Sequence, residues 1–144
     1  MTDPTTSGGL LAWLDTAIRR RENTARAVGW DSIRSSDYGP KTKYLTLHRP
    51  DQSTNTPALE AGLADHIALN DPAAVLRRCA ADRKLIGMHG TWTDEERTLI
   101  GEPASDQSCK GCGFNNQEEP MVADYRHCPV LLALAEGYGW TADG

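Results

Sequence analysis

The sequence predicts an α+β, mainly α-helical fold: a single small domain with a short β-hairpin and a zinc-knuckle-like loop. Three observations carry this reading. Apolar residues recur at three- and four-residue steps in several separate stretches, and one short stretch alternates as a strand does. The run "SCKGCGF" at 108–114 then sets Cys109 and Cys112 two residues apart, inside a long segment with no sustained periodicity.

The first helix is expected from Leu10 to about Gly29. Leu11, Leu14, Ile18, Ala25 and Val28 form its apolar stripe, with Trp13 and Ala17 beside them. Its other face carries Arg19, Arg20, Arg21 and Arg26, a site for an anionic partner or, as the simpler reading, a solvated helix face. Residues 1–9 hold Pro, Ser, Thr and Gly with little to bury and read as a flexible lead-in, and residues 141–144 as a loose tail. The domain proper is expected over 10–140.

A strand is expected at about 43–48, where Tyr44, Thr46 and His48 alternate with Leu45 and Leu47. It pairs with a weaker strand at about 30–35 across the Tyr38-Gly39-Pro40 turn, and His48 falls on the solvent face. "DQSTNTP" at 51–57 reads as a loop, since its short polar side chains compete for backbone hydrogen bonds.

Two helices follow, at 58–70 and 71–89. The second has Asn70 or Asp71 as cap and Pro72 in the first turn, where a missing N–H leaves no unpaired donor. It stops at His89-Gly90, which holds His89 at a fixed, partly exposed position. His66, next to Asp65, reads as a core or helix-packing histidine, because adjacent helical positions do not face each other. Thr93 and Glu96 suit a capping box for a short turn over 93–100. Cys128-Pro129 opens a last helix whose Val130, Leu131, Leu134 and Ala135 turn toward the core before Gly137 ends it.

Composition narrows the function classes. With 39% hydrophobic and 6% aromatic residues, the core of these 144 residues is modest and would gain from a covalent or metal staple. Fifteen basic residues against 20 acidic give a charge of -5, which disfavours broad phosphate binding and leaves nucleic acid only a local patch. No apolar run approaches the roughly 18 residues that span a bilayer. The start lacks the basic leader of a secretory signal, so a soluble, cytoplasmic protein with no membrane partner is expected. In that compartment four cysteines are a poor disulfide framework, and metal or isolated thiols fit better.

Cys109, Cys112 and Cys128 give C-x2-C-x15-C. A two-residue gap lets both thiolates reach one tetrahedral ion, and Gly113 lets the backbone turn behind them. His89 and Cys128, at the ends of the helices that bracket the loop, complete a Cys3His set suited to a structural zinc ion with no open position. His89 is favoured as fourth ligand over His127, whose neighbouring place to Cys128 demands a sharp local bend, and over Cys79, on the apolar side of its helix. A redox dithiol is disfavoured because neither flank of the C-x2-C pair reads as a strand or helix. An iron-sulfur cluster using Cys79 is the remaining chemical alternative. No phosphate loop, nucleophile elbow or H-E-x-x-H pairing is present, and nothing recommends an enzyme.

The stretches "DHIALNDPAAVLRRCAADRKLIGMH", "CKGCG" and "CPVLLALAEGYG" resemble an uncharacterised domain-of-unknown-function family of small proteins from actinobacteria and their phages. His66, Asp71, Pro72, Val75, Leu76 and His89 match the first part of its pattern. Cys128, Pro129, Leu131, Leu134 and Ala135 match the second. The end departs from it, with "YGWTADG" in place of a histidine-proline-glycine-tyrosine tail. The resemblance implies a phage or actinobacterial source and supports His89, Cys109, Cys112 and Cys128 as one group; it implies no activity.

The functional expectation is a small zinc-binding accessory protein that engages a host or self protein. Trp13, Trp30, Trp92 and Trp140 are candidate hot spots, with core packing the simpler reading for Trp13 and Trp30. The alternative is a nucleic-acid binder that uses the knuckle and the Arg19–Arg26 face.

Overall fold

The computed structural model describes residues 9–101 and 104–141. The expected lead-in and tail lie outside these residues except for Gly9, which begins the first helix, and Thr141. The fold is α+β and mainly helical: α1 (Gly9–Ala27), β1 (Ser32–Gly39), β2 (Thr42–Arg49), β3 (Gln52–Asn55), β4 (Leu59–Glu60), α2 (Ala61–Leu69), α3 (Pro72–His89), α4 (Asp94–Ile100) and α5 (Pro129–Gly137). Two 3-10 turns, Lys110–Cys112 and Tyr125–His127, lie between α4 and α5. Among the described residues no helix is long and apolar enough to cross a membrane.

The described residues group into two compact units, 19–80 and the rest of those described. In the unit of residues 19–80, β2 is the central strand. It pairs antiparallel with β1, from Ser32 opposite His48 to Asp37 opposite Lys43, with a register shift before Gly39. On its other edge it pairs with β3 and, nearer its start, with β4. One sheet face meets α2, and Ile33, Leu45 and Ala64 are buried there with Leu47, Leu59, Ile67 and Ala68 against them. Asp65 of α2 ties this face together, accepting from Ser35 Oγ at 2.7 Å and Lys43 Nζ at 2.8 Å. Asp71 caps α3 through Ala74 N at 2.5 Å and also accepts from Ile33 N at 3.4 Å, covering an amide on the edge of β1.

The expected hairpin is present and longer than the sequence suggested. The expected loop at 51–57 is instead largely strand. All four residues of β3 are exposed, so no burial pattern marks it. It exists through the ladder on β2 and the cross-strand bonds Thr46 Oγ1 to Asn55 Oδ1 at 2.9 Å and Ser53 Oγ with His48 Nδ1 at 3.2 Å. Leu59 and Glu60 pair with Lys43 and Thr42, and for that reason α2 starts at Ala61 rather than at 58. His66 is exposed rather than a core histidine.

The other unit is built around Leu10, Leu14, Cys109, Tyr125, Cys128, Leu131 and Ala135, all buried. In α1 it is Leu10 rather than Leu11 that is fully enclosed, and the stripe stops short of Val28, which is 46% exposed beyond the helix end. Asp15 of α1 accepts from Arg83 of α3 at 2.7 Å, and Asp82 accepts from Tyr138 Oη at 2.5 Å just past α5. These polar ties hold the end of α3, and so His89, in register with α1 and α5. The capping box at α4 is present as expected: Thr93 Oγ1 accepts from Glu96 N, and Glu96 accepts from Thr93 N.

Candidate metal centre

His89 is the last residue of α3, Cys109 and Cys112 flank and close the 3-10 turn Lys110–Cys112, and Cys128 is the residue just before α5. Segments far apart in sequence therefore bring one imidazole and three thiols to one place. Their donor atoms all lie within 4.8 Å of one another. His89 Nδ1 is 3.7 Å from Cys109 Sγ, 3.8 Å from Cys112 Sγ and 3.6 Å from Cys128 Sγ, and the last two sulfurs are 3.7 Å apart.

These spacings have a simple meaning. Zinc bonds of about 2.3 Å to sulfur and about 2.0 Å to imidazole place tetrahedral corners about 3.8 Å apart for two sulfurs and about 3.6 Å for sulfur and nitrogen. The four edges above fall on those values. The group can hold one metal ion, with Nδ1 as the histidine donor.

The backbone around the cysteines explains how a stretch without regular elements holds this shape. The Gly111 and Cys112 N–H groups donate to the Cys109 sulfur. Gly113 has φ 72°, and after it the chain turns back through a small hairpin in which Phe114 bridges to Pro120 and Met121 N donates to Gly113 O. Cys109 N donates to Val122 O and Lys110 N to Gly90 O, so the knuckle is fastened to the returning strand and to the end of α3. Asn115 Oδ1 closes the hairpin tip by accepting from Gln117 N and Glu119 N.

Side chains brace it further. Ser108, fully buried beside Cys109, accepts from Trp92 Nε1 at 3.1 Å and donates to Ser105 O at 3.2 Å. The Trp92 ring stacks on Phe114 with centroids 5.8 Å apart. Lys110 Nζ reaches Glu96 at 3.1 Å, which links the knuckle to the capping box of α4. The backbone bond from Thr93 and then the Lys110 ammonium hold the Glu96 carboxyl below its usual range.

The thiols sit where ionisation is opposed. Burial pushes the Cys109 thiol up, and it pushes Cys112 up to about 12 with help from the two neighbouring sulfurs. Low-pKa thiols favour redox catalysis, so this environment suits a ligand set better than a nucleophile.

All four residues expected from the spacing are brought together. His127 is not among them: its ring is 80% exposed and turned toward Asp124 at 3.7 Å. Cys79 is buried and stands outside the group. Arg19, Arg20, Arg21 and Arg26 are exposed on α1 and supply no ligand, with Arg26 within 3.9 Å of Glu22. Sequence reasoning missed Gly111, Ser108, Phe114 and the Lys110–Glu96 tie. Only Gly111, the second x of C-x2-C, carried any signal, as a glycine inside the knuckle.

A family model described as a family of unknown function, DUF6221, matches residues 8–139. The chain belongs to this family. The matched span takes in both units and all four members of the DUF6221 chain's candidate metal centre, in keeping with the domain-of-unknown-function resemblance. No curated protein and no solved structure matches the chain.

Proposed function

We propose that His89, Cys109, Cys112 and Cys128 hold a single zinc ion as a structural staple, in a binding protein rather than an enzyme. The observation that carries this is the spacing of the four donor atoms: all lie within 4.8 Å of one another, and four of their six separations are 3.6 to 3.8 Å, as tetrahedral corners require. Three sulfurs and one nitrogen close the coordination sphere and leave no place for substrate or activated water, which separates this set from catalytic zinc. One imidazole among the donors favours zinc over an iron-sulfur cluster, which takes four cysteines, and Cys79 stands outside the group.

A staple belongs here on physical grounds. The described residues between α4 and α5 form short turns and one small hairpin, and the buried ones among them, Ser108, Cys109, Tyr125 and Cys128, centre on the ligands. Much of the energy of metal binding would then be folding energy. The tryptophans expected as hot spots are engaged internally: Trp13 and Trp140 pack on the core, Trp92 braces the knuckle, and Arg49 lies 4.1 Å over the Trp30 ring. The likeness of the His66–Leu76 and Cys128–Ala135 stretches to actinobacterial and phage proteins supports a source of that kind.

Elemental analysis of protein purified without added ions tests the reading. One zinc per chain is expected, lost in Cys109→Ser and in His89→Ala together with a lowered melting temperature. Iron, or a metal-free protein with freely alkylated thiols, would overturn it.

A further inference from the structure

The three thiols of the Cys3His group are not equivalent. Cys109 and Cys128 are 1% and 0% exposed, whereas Cys112 is half-buried and is the one of the three that solvent reaches. Cys109 is the most restrained: its sulfur accepts from the Gly111 and Cys112 N–H groups and lies 3.0 Å from the His89 carbonyl oxygen. Cys112 Sγ meets Cys128 Sγ at 3.7 Å. Beside Cys112 the loop is open, since a Cβ added to Gly113 would find nothing within 4 Å.

We propose that this centre is an oxidation switch: hydrogen peroxide joins Cys112 to Cys128 as a disulfide, and the zinc ion leaves. The proposal rests on the zinc reading and adds regulation to it. The Cys112 thiolate attacks one peroxide oxygen, the O–O bond breaks, hydroxide departs and a sulfenic acid forms. The Cys128 thiolate then attacks that sulfur, the S–O bond breaks and a second hydroxide departs. Two electrons pass from the two sulfurs to the peroxide, and both hydroxides take protons from solvent to become water. The sulfurs close from 3.7 Å to the roughly 2.05 Å of a disulfide. His89 and Cys109 then remain as the only donors, short of the four that a structural zinc site uses.

The exposed sulfur is thus the point of attack, and a buried neighbour resolves it. A bond between Cys109 and Cys112, the pairing of C-x2-C redox couples, is disfavoured because it would disturb the amide bonds that pin the Cys109 sulfur. It would also leave the knuckle with no tie to Cys128, the residue just before α5. The Cys112–Cys128 bond keeps that tie as a covalent link, so the oxidised chain stays folded without its ion.

Zinc-loaded protein, its metal content measured beforehand, is treated with hydrogen peroxide while a chromogenic chelator reads free zinc and non-reducing peptide mapping locates the disulfide. One zinc per chain should be released in step with the loss of two free thiols, with a peptide linking Cys112 to Cys128. A dithiol reductant with added zinc should restore the bound form. The oxidised chain should melt above the reduced, metal-free chain, because the link closes the loop between residues 112 and 128. Cys79→Ala should respond as the wild type does, since Cys79 stands outside the group. The switch is overturned, and the staple left standing, if zinc-loaded protein keeps its ion under peroxide or needs Cys79 to release it. It is equally overturned if release comes with a Cys109–Cys112 bond, a bond between chains or sulfinic acid in place of the Cys112–Cys128 link. Absence of zinc before the oxidant is added would overturn staple and switch together.

Discussion

A Cβ atom on Gly111 would lie 2.7 Å from Nδ1 of His89 and 2.5 Å from the Met88 carbonyl oxygen. The knuckle thus closes on the histidine donor through space that only glycine leaves empty, and nothing flexible can yield there. Gly111→Ala should destabilise the protein by about 1–3 kcal/mol, as overpacking does, and should lower bound metal because the displaced atom is the donor itself. Gly87 in α3 is the contrast, with nothing within 4 Å of an added Cβ. Gly87→Ala should stabilise by up to about 1 kcal/mol through helix propensity. Melting temperature and metal content of the two variants check both; full metal and an unchanged melting point in Gly111→Ala would refute the close approach.

Trp92 and Ser108 form the brace behind Cys109. Ser108 is fully buried and takes part in four hydrogen bonds, with Trp92 Nε1 and with three atoms of Ser105, so its hydroxyl is worth more than a surface serine's. Ser108→Ala leaves the indole N–H without its acceptor and should cost about 1–3 kcal/mol. Trp92→Phe keeps a ring against Phe114 and loses only the donor, so it should cost less. A double-mutant cycle read by thermal melts should show the two changes to be non-additive; simple additivity would mean that the bond contributes nothing of its own.

The site was more legible than the sheet. Cys109, Cys112, Cys128 and His89 could be found because each ligand sits at a marked place, a C-x2-C pair, the residue before a helical proline and the end of a periodic stretch. The α4 capping box was legible for the same reason: Thr93 and Glu96 satisfy each other locally. β3 was not, because Gln52 to Asn55 bury nothing and are strand only by pairing with β2. Gly111, Ser108 and Lys110 act through contacts with residues distant in sequence, which spacing alone does not encode.

Asp65 and Lys43 give the sheet unit a pH signature. The hydrogen bond from Lys43, then that from Ser35, holds the Asp65 carboxyl below its ordinary 3.8. Bonding to Asp65 raises Lys43 above 10.5. A depressed acid stabilises above its unfolded value and loses that contribution as pH falls through the folded one; a raised base stabilises below its unfolded value and loses that as pH rises through the folded one. The melting-temperature difference between wild type and Lys43→Met should therefore be widest between 3.8 and 10.5 and shrink beyond either end. Both groups are partly exposed, so the difference should be small and should fall in high salt. A difference independent of pH would mean that Lys43 acts through packing of its alkyl stem.

The thiols predict opposite pH trends for the metal-free and metal-bound protein. In the folded chain burial pushes Cys112 from its ordinary 9.0 up to about 12, and Cys109 also rises. Metal-free protein should therefore lose stability as pH climbs above 9.0, since the unfolded chain gives up these protons first. Metal reverses the sign, because the ligands must be thiolates and protons compete with the ion. Zinc added at neutral pH should release close to one proton per ligand cysteine, measurable in a pH-stat, and the bound form should weaken as the solution is acidified. Thermal melts across pH with and without chelator separate the two branches. If zinc released no protons, or if both forms followed one pH profile, the three sulfurs would not be ligands, and the tetrahedral spacing would be a consequence of packing alone.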